Sequence, residues 1–253
     1  VAAIFAIFAL WLAGSELPTR KQWPRLYLVA AGIVVGFPLL STLAMKQVAA
    51  SHGAVVVGLL PLVTALFGCW LANERPGRVF WIATTIGSLT IAAFSLGPRL
   101  DSLHSADLLL LGAVIAAGFG YAEGARLARE LGAWQTICWA LIAAIPFSVW
   151  PVYQYFPQNP GRLELATVLA FGYVSIFSMF LGFFAWYKGL AMGGIARIGQ
   201  LQLLQPFLTL AASAALLSEQ ISVSQVLAAT IVIASVYVAR KAATNRALVQ
   251  IEK

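Results

Sequence analysis

Long stretches without a single Asp, Glu, Lys or Arg constrain this chain more than any other feature. They occupy 26–45, 47–73, 79–98, 108–122, 131–161, 165–187, 198–218 and 220–239. A hydrocarbon layer about 30 Å thick is crossed by about 20 helical residues rising about 1.5 Å each, and most of these stretches reach that length alone. The shortest, 108–122, extends at its start across Ala106 and Asp107 and at its end past Glu123. The longest, 131–161, closes on the aromatic and proline-rich segment 150–160, which reads as a helix end in the interfacial belt followed by a loop. Eight complete helices are therefore expected, at 26–45, 50–72, 79–97, 106–127, 133–152, 164–187, 197–217 and 221–240. Residues 1–13 read as the tail of a further span, because they lack the basic start and cleavage site of a signal peptide. With 61% apolar and 10% charged residues, a water-soluble fold is excluded; the two cysteines, both inside apolar runs, exclude a disulfide scaffold.

The net charge of +7 would suit nucleic acid if the basic residues shared a face, but they are scattered through short loops. They follow a topology instead. If the loop after residue 13 faces the cytoplasm, 13 Lys and Arg residues lie on that side and only Lys46, Arg99 and Arg162 on the other. This bias sets orientation in multi-pass proteins, and here it puts the C-terminus and its tail, 243–253, in the cytoplasm.

A repeat runs through the chain. Pro61, Thr64, Leu71 and Glu74 recur at identical offsets as Pro206, Thr209, Leu216 and Glu219, and Leu43-Ala44-Met45 is echoed by Leu190-Ala191-Met192. Each copy places a proline inside an apolar helix and a glutamate at its end. Under the loop assignment the two copies run in opposite directions, so an odd-numbered unit has been duplicated and inverted. Inverted repeats are typical of secondary transporters, with the solute bound at the repeat interface near the midplane.

With these two proline helices and their approaches, 49–54 and 193–200, the chain resembles the EamA-type branch of the drug/metabolite transporter superfamily. The resemblance implies an all-α membrane bundle of two inverted five-helix halves. Those halves correspond to 1–98, shortened at its N-terminus, and 106–242. It also implies that residues 1–13 end the second helix, that the first is absent, and that Pro61 and Pro206 lie in the fourth and ninth. The implied activity is export of small metabolites, amino acids or related compounds first, across a bacterial inner membrane. Proton-coupled drug efflux is the alternative within transport. A membrane-embedded enzyme or a non-transporting scaffold is the alternative outside it.

No HExxH, nucleophile elbow, Walker A or CxxC motif is present, so no catalytic residue, cofactor or metal is expected. Gly32-xxx-Gly36, Gly120-xxx-Gly124 and Gly189-xxx-Gly193 read as close helix packing. Gln202 and Gln205 stand three apart just before Pro206, where the missing proline N–H frees a carbonyl; they read either as hydrogen-bonding glue or as a neutral polar lining for a solute. His52 opens the equivalent helix, as an interfacial residue or a group able to titrate near neutral pH. Glu123 lies well inside a span, three residues before Arg126; an intrahelical pair is the simpler reading and a proton or cation carrier the other. Tyr121, Phe177, Phe180, Phe183, Phe184 and Trp186 make two helices aromatic, facing lipid or lining a cavity, and Trp186 and Tyr187 fit either role. Lys46 and Lys188 read as snorkelling from helix ends. The expected partners are a small-molecule solute and the lipid bilayer, with nucleic acid excluded and a homodimer allowed.

Overall fold

The computed structural model of the chain describes residues 1–48, 53, 56–96, 105–155, 164–205, 207–208, 211 and 223–251. Among these the chain is helical, with no strand. The helices are α1 (Ala2–Leu12), α2 (Gln22–Met45), α3 (Leu60–Ala72), α4 (Arg78–Leu96), α5 (Ser105–Leu131), α6 (Ala133–Ala143), α7 (Ile145–Tyr155), α8 (Leu165–Gly193), α9 (Ile195–Gly199, continued as a 3-10 turn over Gln200–Leu204) and α10 (Val223–Ile251). Within them, Gln22–Met45, Ser105–Leu131, Leu165–Gly193 and Val226–Ala243 are long and apolar enough to cross a membrane; α1, α3, Arg78–Ile91 of α4 and α6 are shorter apolar helices.

Several boundaries depart from the sequence expectation: the span expected from 26 begins at Gln22, α3 begins at Leu60 rather than 50, and α10 runs past 240 to Ile251. Helices α5 and α8 run several residues past 127 and 187, to Leu131 and Gly193, where Gly132 (φ +95°) and Gly194 (φ +89°) take backbone angles that stop a helix. The span expected at 133–152 is two helices. It breaks at Ala144, because Pro146 has no N–H to give the ladder; the Ala144 carbonyl instead accepts from the Phe147 and Ser148 amides and the Ser148 hydroxyl. The helix resumes to Tyr155, so its end lies beyond the start of the aromatic segment at 150.

Small residues set how closely the spans approach. Gly32 of α2 sits on α5, where an added Cβ would lie 2.5 Å from the Ala116 carbonyl oxygen and 3.3 Å from the Gly120 Cα. Gly124 of α5 is covered by the ring of Tyr187, which is fully buried and donates to the Gly120 carbonyl at 3.3 Å. Helix α5 is thus the axis of the bundle, with α2, α3 and α8 laid against it through contacts that no larger residue would permit. Elsewhere the outer faces are apolar: Phe177, Trp70, Ile82 and Tyr237 are all more than half exposed, as lipid-facing positions require.

Two irregularities share the 145-residue offset of the repeat. Helix α2 widens into a π turn over Ala30–Gly36 and α8 does so over Val174–Leu181. Helix α3 restarts at Leu60 after a break at Gly58–Leu59, and α9 tightens to a 3-10 turn over Gln200–Leu204. Nothing in composition signals the π turns.

Candidate functional site

Four of the residues chosen for their chemistry border one cavity of about 580 Å³. Helix α5 contributes Tyr121, and the 3-10 turn with the residues after it contributes Gln202, Gln205 and Leu208. Helix α8 contributes Ser178, Phe183 and Trp186, beginning inside its π turn. A π turn advances the helix by an extra residue and turns a different side chain inward, and such turns concentrate at functional sites.

The glutamines share a face for a reason that α-helical spacing does not give. In a 3-10 helix, side chains three apart eclipse one another. The Gln205 N–H bonds back to the Gln202 carbonyl, three residues earlier, and locks that register. Gln200, two positions before the eclipsed pair, is fully buried instead and donates to the Ala196 carbonyl at 3.3 Å. The aromatic wall is a connected set. Tyr121 meets Trp186 edge-on at 5.6 Å between ring centroids and Phe183 at 6.1 Å, and the Tyr121 hydroxyl is a hydrogen-bond neighbour of the Gln202 side chain. Trp186 Nε1 and Gln202 Oε1 are buried without a hydrogen-bond partner.

The other aromatic residues separate cleanly. Phe180 packs inside against Phe184 at 4.8 Å and Phe5 at 6.2 Å, Phe184 lies on Trp134, and Phe177 faces outward. Trp186 is a cavity wall and Tyr187 a packing residue. Lys46 and Lys188 are exposed. His52, Pro206, Thr209 and Glu219 lie outside the described residues. Pro61 is buried in the first turn of α3, and among the described residues no group of three or more His, Cys, Asp or Glu side chains is placed to hold a metal.

Glu123 makes the expected pair with Arg126, at 2.8 Å, and a second one that sequence spacing does not reveal. Its other oxygen is held by Arg25 of α2, whose guanidinium also bonds Glu130 at 2.7 Å. Glu123 is only 3% exposed. A carboxylate at that depth, gripped by two guanidinium groups, is an interhelical clamp. A proton carrier would need a way to release those partners.

A second clamp was equally invisible. Asn73, at φ +53°, turns the chain out of α3 so that Glu74 reaches the start of α9. There its two oxygens accept the Ile195 N–H at 2.6 Å and the Ala196 N–H at 2.7 Å. A carboxylate on a helix N-terminus satisfies two orphan amides and meets the positive end of the helix dipole. The repeated glutamate is therefore a cap on the other proline helix. Its presence at the helix end was the visible signal; its partner was not.

Comparison with known proteins agrees with this architecture. The model of the EamA-like transporter family matches residues 1–96 and again 104–240. The protein of Bacillus subtilis (strain 168) described as "Uncharacterized transporter YdeK" is 41% identical over 241 residues, covering 95% of this chain and 84% of that protein. A solved structure described only as "Crystal structure of protein" superposes with a TM-score of 0.79 over 94% of this chain and 84% of its own, at 17% identity, a likeness of fold alone.

Proposed function

The chain belongs to the EamA-like transporter family, and we propose that it is a secondary transporter exporting small metabolites across a bacterial inner membrane by alternating access between two inverted halves. Amino acids or related compounds are the solutes the family resemblance puts first, and the Lys/Arg bias supports a cytoplasmic C-terminus. No covalent chemistry is assigned to any residue.

One observation carries this reading. Gln202, Gln205, Tyr121 and Trp186, chosen from sequence as polar or aromatic groups in costly positions, border the same cavity between α5, α8 and α9. Polar side chains at membrane depth are retained where they face protein or water, and a cavity of this volume accommodates a small metabolite. The glutamines offer it neutral donors and acceptors, and the rings offer it an apolar wall. Alternating access requires elements that can exchange between two arrangements, and two of the three helices bordering the cavity, all of them in the second half, are irregular there, α8 through its π turn and α9 through its 3-10 turn. Proton-coupled drug efflux would make Glu123 or His52 the coupling group. The double clamp on Glu123 supports a structural role instead.

The test is a Gln202→Leu, Gln205→Leu double variant in the full chain, compared with the unmodified protein for uptake of labelled metabolites into everted vesicles. Normal expression with reduced transport is expected. Normal expression with unchanged transport would make the glutamines packing residues and sink the proposed site.

A further inference from the structure

The cavity's chemistry narrows its solute further than amino acids or related compounds. Among the described residues its lining contains no Asp, Glu, Lys, Arg or His. Its polar groups are amides, a phenol, a serine hydroxyl and an indole N–H. A formally charged group moved from water into such a lining loses hydration that no opposite charge replaces, whereas a neutral amide recovers its loss with one hydrogen bond.

Two of the lining side chains are incompletely satisfied, and they are complementary. Trp186 Nε1 is a buried donor without an acceptor, and Gln202 Oε1 is a buried acceptor without a donor. An unsatisfied buried group in a native protein calls for an explanation, one of which is a missing ligand. Both atoms are screened from water, on side chains that line the cavity. The solute that satisfies both presents an acceptor and a donor close together. Beside them, Tyr121 and Phe183 form an aromatic surface that favours a ring on the solute, stacked or edge-on.

We propose that the cavity selects uncharged, amide-bearing amino-acid derivatives with an aromatic side chain, of which a cyclic dipeptide is the simplest, over free zwitterionic amino acids. This rests on the transport reading above and deepens it. In a cyclic dipeptide the amine and carboxylate are condensed into ring amides. Each amide supplies an N–H for Gln202 Oε1 and a carbonyl for Trp186 Nε1, while the aromatic side chain meets Tyr121 and Phe183.

Three probes built from the same two residues vary the charge: cyclo(glycyl-phenylalanyl), which is neutral; glycyl-phenylalanine, a zwitterion; and glycyl-phenylalanine amide, a cation. Free phenylalanine is the fourth. Uptake of each labelled probe is measured in liposomes holding the full chain. The cyclic probe should enter about 5- to 160-fold faster than the zwitterion or the cation, as expected for about 1–3 kcal/mol from two neutral hydrogen bonds. Gln202→Glu should shift preference toward the cationic probe by placing a negative charge where the acceptor stood. Trp186→Phe, which keeps an aromatic ring but removes the N–H donor with the second ring of the indole, should slow the cyclic probe by at least the 2- to 13-fold expected for about one neutral hydrogen bond and leave the order of the charged probes unchanged. It carries the test if the charged variant does not fold. Uptake of phenylalanine or glycyl-phenylalanine equal to or above that of the cyclic probe overturns the selectivity and leaves the transporter reading standing. Uptake of none of the four by folded protein overturns both.

Discussion

The two proline helices started as the same segment and have been put to different uses. In α3 the break at Gly58–Leu59 is followed by Leu60, Pro61 and Thr64, all buried, and the helix ends by placing Glu74 on the start of α9. In α9 the matching stretch is the 3-10 turn. The residues at the offsets of Val57 and Leu60 are Gln202 and Gln205, which border the cavity. One copy kept the backbone irregularity and filled its surroundings with apolar side chains; the other kept the irregularity and gained amides. The π turns repeat the contrast: that of α2 is pressed against α5 at Gly32, and that of α8 opens onto the cavity through Ser178. Irregular backbone thus recurs in both copies, while among the described residues the polar side chains bordering the cavity belong to the second copy alone. If α3 is scaffold and α9 is site, mutations in the first should cost stability and mutations in the second should cost transport.

The largest effect should come from Glu74→Ala. It removes two charge-assisted bonds to the amides of Ile195 and Ala196, each worth about 1.5–3 kcal/mol. A loss of about 3–5 kcal/mol is expected, visible as a large drop in the thermal unfolding temperature of the detergent-solubilised protein. A shift of under a degree would show that α3 and α9 do not depend on this cap, and the scaffold half of the comparison would fail.

Next in size is Leu60→Gln, which puts into α3 the residue that α9 carries at that offset. Leu60 is 5% exposed and packs with Val114 and Ala117 of α5. An amide there loses apolar burial and finds no cavity to face, at a cost of about 2–3 kcal/mol. If the variant were as stable as the parent and gained transport, the first copy would be a latent second site. In the mirror experiment, Gln202→Leu with Gln205→Leu, stability should change by less than about 0.5 kcal/mol because leucine suits the apolar surroundings. Solute affinity should fall by about 1–3 kcal/mol, the sum of two neutral bonds. Equilibrium binding and unfolding measured on one preparation separate the two terms.

Much of this was legible in the sequence, for identifiable reasons. Span positions follow from the absence of charge over 15–31 residues, a local property read directly from the chain. The irregularity before Pro61 follows from a missing N–H, and the cost of placing amides in hydrocarbon is what singles out Gln202 and Gln205, which border the cavity. What escaped depends on partners distant in sequence. Arg25 reaches Glu123 across 98 positions, and Glu74 reaches Ile195 across 121. No spacing rule links such pairs. The kink at Ala144 needed only Pro146, which was hidden inside a run long enough to be read as one span with an interfacial end. The eclipsed glutamines were placed on one face by α-helical spacing when the chain is a 3-10 turn; both geometries bring residues three apart together, so the face was right and the winding was not.

The smallest effect tests which side of α8 belongs to the site. Phe177 and Phe183 lie six residues apart, on either side of most of the π turn, and sequence gave no way to rank them. Phe177 is 53% exposed and stacks on Tyr173, one turn back at 5.3 Å, so Phe177→Leu exchanges one lipid-facing apolar side chain for another. Its effect on stability should stay within about 0.5 kcal/mol, and transport should be unchanged. Phe183→Leu removes a ring from the cavity wall beside Tyr121. The loss of an aromatic contact worth about 0.5–1.5 kcal/mol should weaken binding of an aromatic solute while sparing an aliphatic one. Measured together, the pair separates a cavity-facing role from general aromatic packing, because packing loss would lower stability in both and discriminate between solutes in neither. A transport defect in Phe177→Leu equal to that in Phe183→Leu would mean that α8 presents a different face to the solute, and the asymmetry between the two π turns would have to be redrawn.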